Sequence, residues 1–230
     1  LDLAINDKAG ILDIPKLKEK YKAGECVSYF RMQKDYSGTE KCGSDLPKNT
    51  GETLYLGSTS SELYMCAYQK NYEFLAEIFS EIRKKNKTAV LVCVGDEGGM
   101  KEIVLEKFKK LKVMDSLRLL GIREDVAQIM QMFDVFVLPS RWEGLGIVYI
   151  EAQAAGVQTF ASDVVPKEAK VTELLHYISL KKSPEVWARE ILKYENGYVK
   201  RDTTEEIKKK GYNIQTITKR LEDIYLNNKN

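Results

Sequence analysis

The sequence predicts an α/β protein, a Rossmann-like parallel sheet with helices on both faces, preceded by a small β-rich segment. Three observations carry this expectation. From Asn71 onward, brief apolar runs alternate with amphipathic stretches at helical spacing, the order of a chain that crosses over between parallel strands. The run Phe133-Asp134-Val135-Phe136-Val137-Leu138-Pro139 has the length and composition of a buried strand, closed by a proline that cannot continue the ladder. Glycines at 144 and 146 then lie where the chain passes from that strand into an alanine-rich helix.

The first third reads differently. Leu1 to Asp7 alternates as a strand does, Ile14 to Ala23 suits a short helix with a lysine-rich face, and Val27 to Met32 suits a second strand. Gln33 to Thr53 is polar, contains Pro47, and is expected to be a long loop. Thr53 to Gly57 and Glu62 to Tyr68 are expected to form the arms of a hairpin around Ser58-Thr59-Ser60-Ser61.

A helix from Asn71 ends in Arg83-Lys84-Lys85-Asn86, with its cations where the helix dipole favours them. Strand and helix alternate from there. Strands are expected at 88–94, 116–120, 133–139, 157–161 and 175–179, and helices at 100–112 and 124–132. The alanine-rich helix stops at Gly156. Pro184 is placed to open a helix carrying Trp187, Lys200 to Lys210 reads as a solvated helical face, and 213–228 as a last helix. Gly95, Gly121, Pro139 and Ser162 all fall at strand carboxyl ends. Their loops therefore converge on the rim where such sheets bind ligands.

Composition narrows the function classes. With 36 Lys and Arg against 34 Asp and Glu, the net charge of +2 gives no argument for nucleic acid or membrane as a partner. No apolar run reaches the length of a membrane span, and the first residues lack the order of a signal peptide, so a cytoplasmic location is expected. Cys26, Cys42, Cys66 and Cys93 form no Cys-x-x-Cys pair, which argues against zinc or disulfide frameworks. The single histidine, His176, leaves zinc triads and Ser-His-Asp catalysis without their parts and is expected to be packed or at a strand end.

The candidate site lies in Ser140-Arg141-Trp142-Glu143-Gly144-Leu145-Gly146-Ile147-Val148-Tyr149-Ile150-Glu151. The first N–H groups of a helix have no partner inside it and carry partial positive charge, so an anion fits there. Glycines let a ligand approach that backbone closely. Glu143 can accept hydrogen bonds from hydroxyls. Glu151 sits on an apolar stripe, where a buried carboxylate needs donors such as ribose hydroxyls. The alternative reading of the spacing is that Glu143 favours the helix dipole and Glu151 faces water.

Two glutamates with seven residues between them, after an Asp-apolar-Pro-Ser strand and before Glu-Ala-x-Ala-x-Gly, resemble the donor-site signature of family 4 glycosyltransferases. Val94-Gly95-Asp96, Leu120-Gly121-Ile122-Arg123-Glu124-Asp125-Val126 and Ser162-Asp163-Val164-Val165-Pro166-Lys167-Glu168 resemble further motifs of that family, in the same order. The similarity spans residues 68 to 226 and is nearest to capsular and exopolysaccharide transferases. It implies the C-terminal half of a two-Rossmann (GT-B) fold, with hexosyl transfer from a nucleotide-diphosphate sugar, UDP-linked, retention of configuration and no obligatory metal or cofactor. It implies that Glu151 binds ribose and Glu143, as the catalytic-site acid, the sugar hydroxyls. The amides of Gly144, Leu145, Gly146 and Ile147 would hold diphosphate or sugar, Lys70 would neutralise phosphate, and Gly121-Ile122-Arg123 would line the base. The acceptor would be a carbohydrate or lipid-linked, with peripheral membrane contact in a full-length enzyme. In that family Gly-Arg stands a few residues before Gln-Lys-Asn. Gln69-Lys70-Asn71 matches, but Tyr64 and Met65 replace the glycine and the arginine.

Residues 1 to 70 resemble a different family. Leu1 to Asp7, Leu12-Asp13-Ile14-Pro15-Lys16-Leu17, Gly24-Glu25-Cys26-Val27-Ser28 and Gly51-Glu52-Thr53-Leu54-Tyr55-Leu56-Gly57-Ser58 are similar to the replication initiators and relaxases of rolling-circle plasmids and conjugative elements. Those enzymes cut DNA with a tyrosine and a carboxylate-held metal; Asp2, Asp7 and Tyr68 stand at comparable places, but Thr59 and Cys66 replace two arginines of the motif. Tyr68-Gln69-Lys70-Asn71 fits both families. The chain therefore reads as a chimera: 1–67 a β-rich initiator fragment, 68–230 a donor-binding domain of polysaccharide biosynthesis. Without an acceptor-binding domain it is expected to be weakly active or inactive alone. A DNA-nicking initiation factor fragment and an inactive remnant are the alternative readings.

Overall fold

The computed structural model describes residues 54–60, 65–95, 101–123 and 125–227. The elements expected within 1–53, and Asp2, Asp7, Asp96 and Glu124, lie outside the described residues.

Six strands form one parallel sheet: β1 (Tyr55–Ser60), β2 (Val90–Gly95), β3 (Leu117–Leu119), β4 (Val135–Leu138), β5 (Gln158–Ser162) and β6 (Leu175–Ile178). Their order across the sheet is β3-β2-β1-β4-β5-β6, with every pairing parallel. The order reverses between β1 and β4, which opens a crevice at their carboxyl ends. The helices are α1 (Met65–Lys70), α2 (Tyr72–Lys85), α3 (Lys101–Lys110), α4 (Val126–Met132), α5 (Ile147–Ala154), α6 (Pro184–Ile191), α7 (Thr204–Lys209) and α8 (Ile214–Asn227).

Each face of the sheet has its own core. On one face α2 presents Leu75, Ile78, Phe79 and Ile82, the spacing of a single helical stripe, to Leu56, Leu91, Val135 and Val137. Trp187 of α6 closes this layer edge-on to Phe74 at 5.9 Å. On the other face Ile129 and Met130 of α4, with Tyr149 and Ala152 of α5, cover Tyr55, Val92, Phe133 and Phe136. His176, on β6, stacks on Phe160 at 5.0 Å and bonds Gln158 Oε1 at 2.7 Å, so it is packed as its sequence context suggested. Burial, then the charge of Lys170, holds its imidazole below the usual range.

The expected hairpin is corrected. Tyr55–Ser60 is an internal strand, flanked by β2 from Tyr55 opposite Val90 to Ser60 opposite Gly95, and by β4 at Leu56 and Gly57. Both of its hydrogen-bonding edges are taken by parallel neighbours, so no antiparallel arm can pair with it. Residues 65–68, read as part of the second arm, belong instead to the helix Met65–Lys70. Ser58, Thr59 and Ser60 look like a turn by composition, but they pair in register with Cys93, Val94 and Gly95 of β2. The strand at the centre of the molecule thus comes from the stretch that resembles the replication initiators.

Candidate functional site

The crevice between β1 and β4 is walled by two segments that are remote in sequence. Asn71 takes a left-handed conformation (φ 60°) between α1 and α2, a geometry that asparagine tolerates better than most residues. Its side-chain amide donates to the Pro139 carbonyl at 3.1 Å. Arg141 N–H donates to the Gln69 carbonyl at 2.7 Å, and Gln69 Nε2 to the Trp142 carbonyl at 3.0 Å. These bonds lace the end of α1 to the loop after β4.

Lys70 and Glu143 meet across that lacing. Lys70 Nζ lies 2.8 Å from Glu143 Oε1, with side-chain exposures of 13% and 5%. Ser140 Oγ donates to the same oxygen at 2.7 Å, while among the described residues the second carboxylate oxygen has only Gln69 Nε2 at 3.5 Å. The loop then reaches Gly146, which caps α5 at φ 75° and ψ 56°. A Cβ on Gly146 would stand 2.6 Å from the Tyr149 ring as well as in the left-handed region, so glycine is required twice over. Gly146→Ala is therefore expected to lower stability by about 2–3 kcal/mol, combining backbone strain with overpacking, measured as a shift in urea midpoint. Gly144 has open space around its Cα, as a loop admitting a ligand would.

The other expected site residues are placed as follows. Leu145 is half-buried against a small core of Ile150, Ala154, Val171 and Ile207, and Ile147 is exposed at the start of α5. Glu151 is half-buried on α5, one turn further along. Gly121 turns with φ 65° after β3, and its carbonyl accepts from Gly95 N–H at 2.8 Å, joining two rim loops. Ile122 is exposed; Arg123 grips Asp125 through two 2.7 Å bonds. Tyr68, at the mouth, is exposed and lies under the Arg141 guanidinium at 4.3 Å. Among the described residues no three His, Cys, Asp or Glu side chains gather as a metal would need.

Two residues standing behind Glu143 escaped the sequence reading. Ser140 and Tyr149 are both fully buried. Tyr149 OH lies 3.0 Å from Ser140 Oγ and 2.9 Å from the Leu138 carbonyl, and burial pushes its phenol well above the usual tyrosine range, with the charge of Glu143 adding to the rise. The spacing Ser140-x-x-Glu143 is a signal that could have found the first. Nothing local marks Tyr149, whose hydroxyl reaches Ser140 only because α5 packs beneath β4.

Comparison with known families agrees with both resemblances. The model described as "Glycosyl transferases group 1" matches residues 55–195, and that described as "Replication initiation factor" matches residues 1–92, so the two overlap over 55–92. The chain is 30% identical over 159 residues to EpsF of Bacillus subtilis (strain 168), named as a glycosyltransferase, covering 68% of this chain and 41% of EpsF. It is 44% identical over 72 residues to NicK of the same organism, named as a DNA relaxase, covering 31% of this chain and 20% of NicK. HepE from Anabaena, solved with UDP and glucose, superposes with a TM-score of 0.65 at 14% identity, over 90% of this chain and 53% of HepE. The chain thus spans less than half of EpsF and about half of HepE. The sheet order and the superposition place the fold with the Rossmann-like half of GT-B proteins.

Proposed function

The chain belongs to the glycosyl transferases group 1 family, and from that premise we propose that residues 68–230, completed by β1, bind a nucleotide-diphosphate sugar, UDP-linked, at the turn between β4 and α5. The observation that carries this reading is the Lys70–Glu143 pair, held at the sheet's switch point beside the start of α5. Lys70 would meet the diphosphate while exchanging part of its contact with Glu143. Glu143 would take the sugar hydroxyls, the loop amides from Gly144 to Ile147 the diphosphate or sugar, Glu151 the ribose and the Gly121–Arg123 loop the base. The parent reaction is a family 4 type hexosyl transfer with retention, serving polysaccharide assembly on a carbohydrate or lipid-linked acceptor. Transfer needs two walls, since much of the rate comes from orienting donor against acceptor and excluding water. The described residues form one. Titration calorimetry is the test: UDP and UDP-glucose are expected to bind weakly, in the range of about 0.1–1 mM (about −4 to −5.5 kcal/mol), with no sugar transfer. Glu151→Ala is expected to remove the heat of both ligands, and unchanged heat would overturn the assignment.

A second reading follows from the match of 1–92 to replication initiators. Tyr55–Ser60, which lies within that segment, is an internal strand of the transferase sheet. We propose that it serves as a scaffold strand and that DNA cutting is lost. Supercoiled plasmid incubated with the chain and Mg²⁺ or Mn²⁺ is expected to stay uncut. Nicking with a covalent tyrosine adduct would reverse this reading.

A further inference from the structure

Glu143 is not presented to a ligand by both of its oxygens. Oε1 receives Lys70 Nζ at 2.8 Å and Ser140 Oγ at 2.7 Å, and two donors fill the acceptor capacity of one carboxylate oxygen. Oε2 receives one long contact, 3.5 Å from a Gln69 amide that already donates to the Trp142 carbonyl at 3.0 Å. The oxygen left to accept a further hydrogen bond is Oε2. What fixes this asymmetry is Ser140, whose hydroxyl has one proton and spends it on Oε1.

Ser140 is itself held from two sides. Tyr149 OH approaches Ser140 Oγ at 3.0 Å, Ser162 Oγ donates to the Ser140 carbonyl at 2.5 Å, and the Tyr149 ring fills the space directly under Gly146. Tyr149 is wholly buried, with its ring edge-on to Phe136 at 6.1 Å. The one hydroxyl proton of Tyr149 is shared between Ser140 Oγ at 3.0 Å and the Leu138 carbonyl at 2.9 Å, and this fixed geometry holds the Ser140 hydroxyl beside Glu143.

We propose that Ser140 and Tyr149 are positioning residues, a two-hydroxyl relay that holds Glu143 so that Oε2 alone reads a hydroxyl of the donor sugar. This rests on the nucleotide-sugar reading above. It adds that discrimination between a sugar nucleotide and the bare nucleotide depends on a tyrosine that never touches the ligand.

Two measurements test it on the full chain. The first needs no ligand: urea midpoints of Tyr149→Phe, Ser140→Ala and the double variant. The relay predicts that Tyr149→Phe lowers the midpoint less once Ser140 is alanine than in the wild-type background, the remaining shift being the lost bond to the Leu138 carbonyl; fully additive shifts overturn the relay. The second compares affinity for UDP-glucose with affinity for UDP. Ser140→Ala is expected to lower that ratio about tenfold, Tyr149→Phe a few-fold, with UDP affinity unchanged and Ser140→Thr restoring the ratio. Equal losses for both ligands mean a structural role only, and an unchanged ratio means that Glu143 needs no relay; either overturns the proposal. Wild-type chain that binds neither ligand overturns the nucleotide-sugar reading and the donor-sensing role together, and the midpoints then decide the relay alone.

Discussion

Gly57→Ala is expected to cost about 3 kcal/mol or more, toward or beyond the upper end of the usual overpacking penalty. Gly57 sits on β1 between β2 and β4, and a Cβ there would stand 1.9 Å from Cδ2 of Phe133 and 2.3 Å from its Cγ. Such a contact is relieved only if the ring moves. Phe133 is wholly buried, packed in the core with Tyr55, Phe136 and Tyr149, so the ring has nowhere to go without displacing α5 or the strand. Because domains of this size hold on the order of 5–15 kcal/mol in total, the substitution removes a large share of stability. Urea denaturation followed by circular dichroism measures it. Gly57→Ala combined with Phe133→Leu is expected to recover part of the loss, since leucine withdraws the ring edge at the cost of a smaller cavity. A single variant as stable as wild type would mean that β1 does not lie under Phe133, and the central place of this strand would fall with it.

Lys70→Met is the second large effect. It leaves the Glu143 carboxylate, 5% exposed, with Ser140 and Gln69 as its remaining side-chain partners. Removing one member of a buried pair costs about 3–5 kcal/mol because the other charge stays out of water. The reverse change, Glu143→Gln, is expected to cost about 1–2 kcal/mol, since Lys70 is the more exposed member and a neutral amide still accepts from Ser140. The double variant is expected to be more stable than Lys70→Met alone, which a double-mutant cycle in urea detects as coupling. Raising salt from 0.05 to 0.5 M is expected to change that coupling little, about 0.5 kcal/mol or less, because the pair is shielded from counterions. Binding should follow. Lys70→Met is expected to weaken UDP at least tenfold, about 1.4 kcal/mol, while circular dichroism at low temperature still reports a folded chain.

The part of the fold that was legible before the structure was the part written locally. Leu75, Ile78, Phe79 and Ile82 recur at helical spacing and form the buried stripe of α2. Pro184 opens α6, and the run Val135 to Leu138 is buried on both faces as its composition implied. Gly146 was recognisable as the turn into α5 because a positive φ is a property of one residue and its neighbours. β1 was not legible. Ser58, Thr59 and Ser60 have the composition of a turn, and what makes them strand is their pairing with Cys93, Val94 and Gly95 of β2, more than thirty residues away in the chain. The buried Ser58 hydroxyl without a hydrogen-bond partner marks a strand fitted to this place by backbone pairing more than by its side chains.

The amino-acid order by itself determined the α/β alternation, the glycine turn at 144–146, the pair Glu143 and Glu151, and the resemblance to two families. These are properties of short spans, where neighbouring residues impose the geometry. Only the tertiary structure decided that Tyr55–Ser60 is an internal strand of the parallel sheet, and that Lys70 reaches Glu143 across 73 residues. It also decided that Tyr149 and Ser140 stand behind that carboxylate. Parallel pairing brings strand ends together irrespective of their distance along the chain, and a largely buried carboxylate takes its orientation from whichever donors the packing delivers to it.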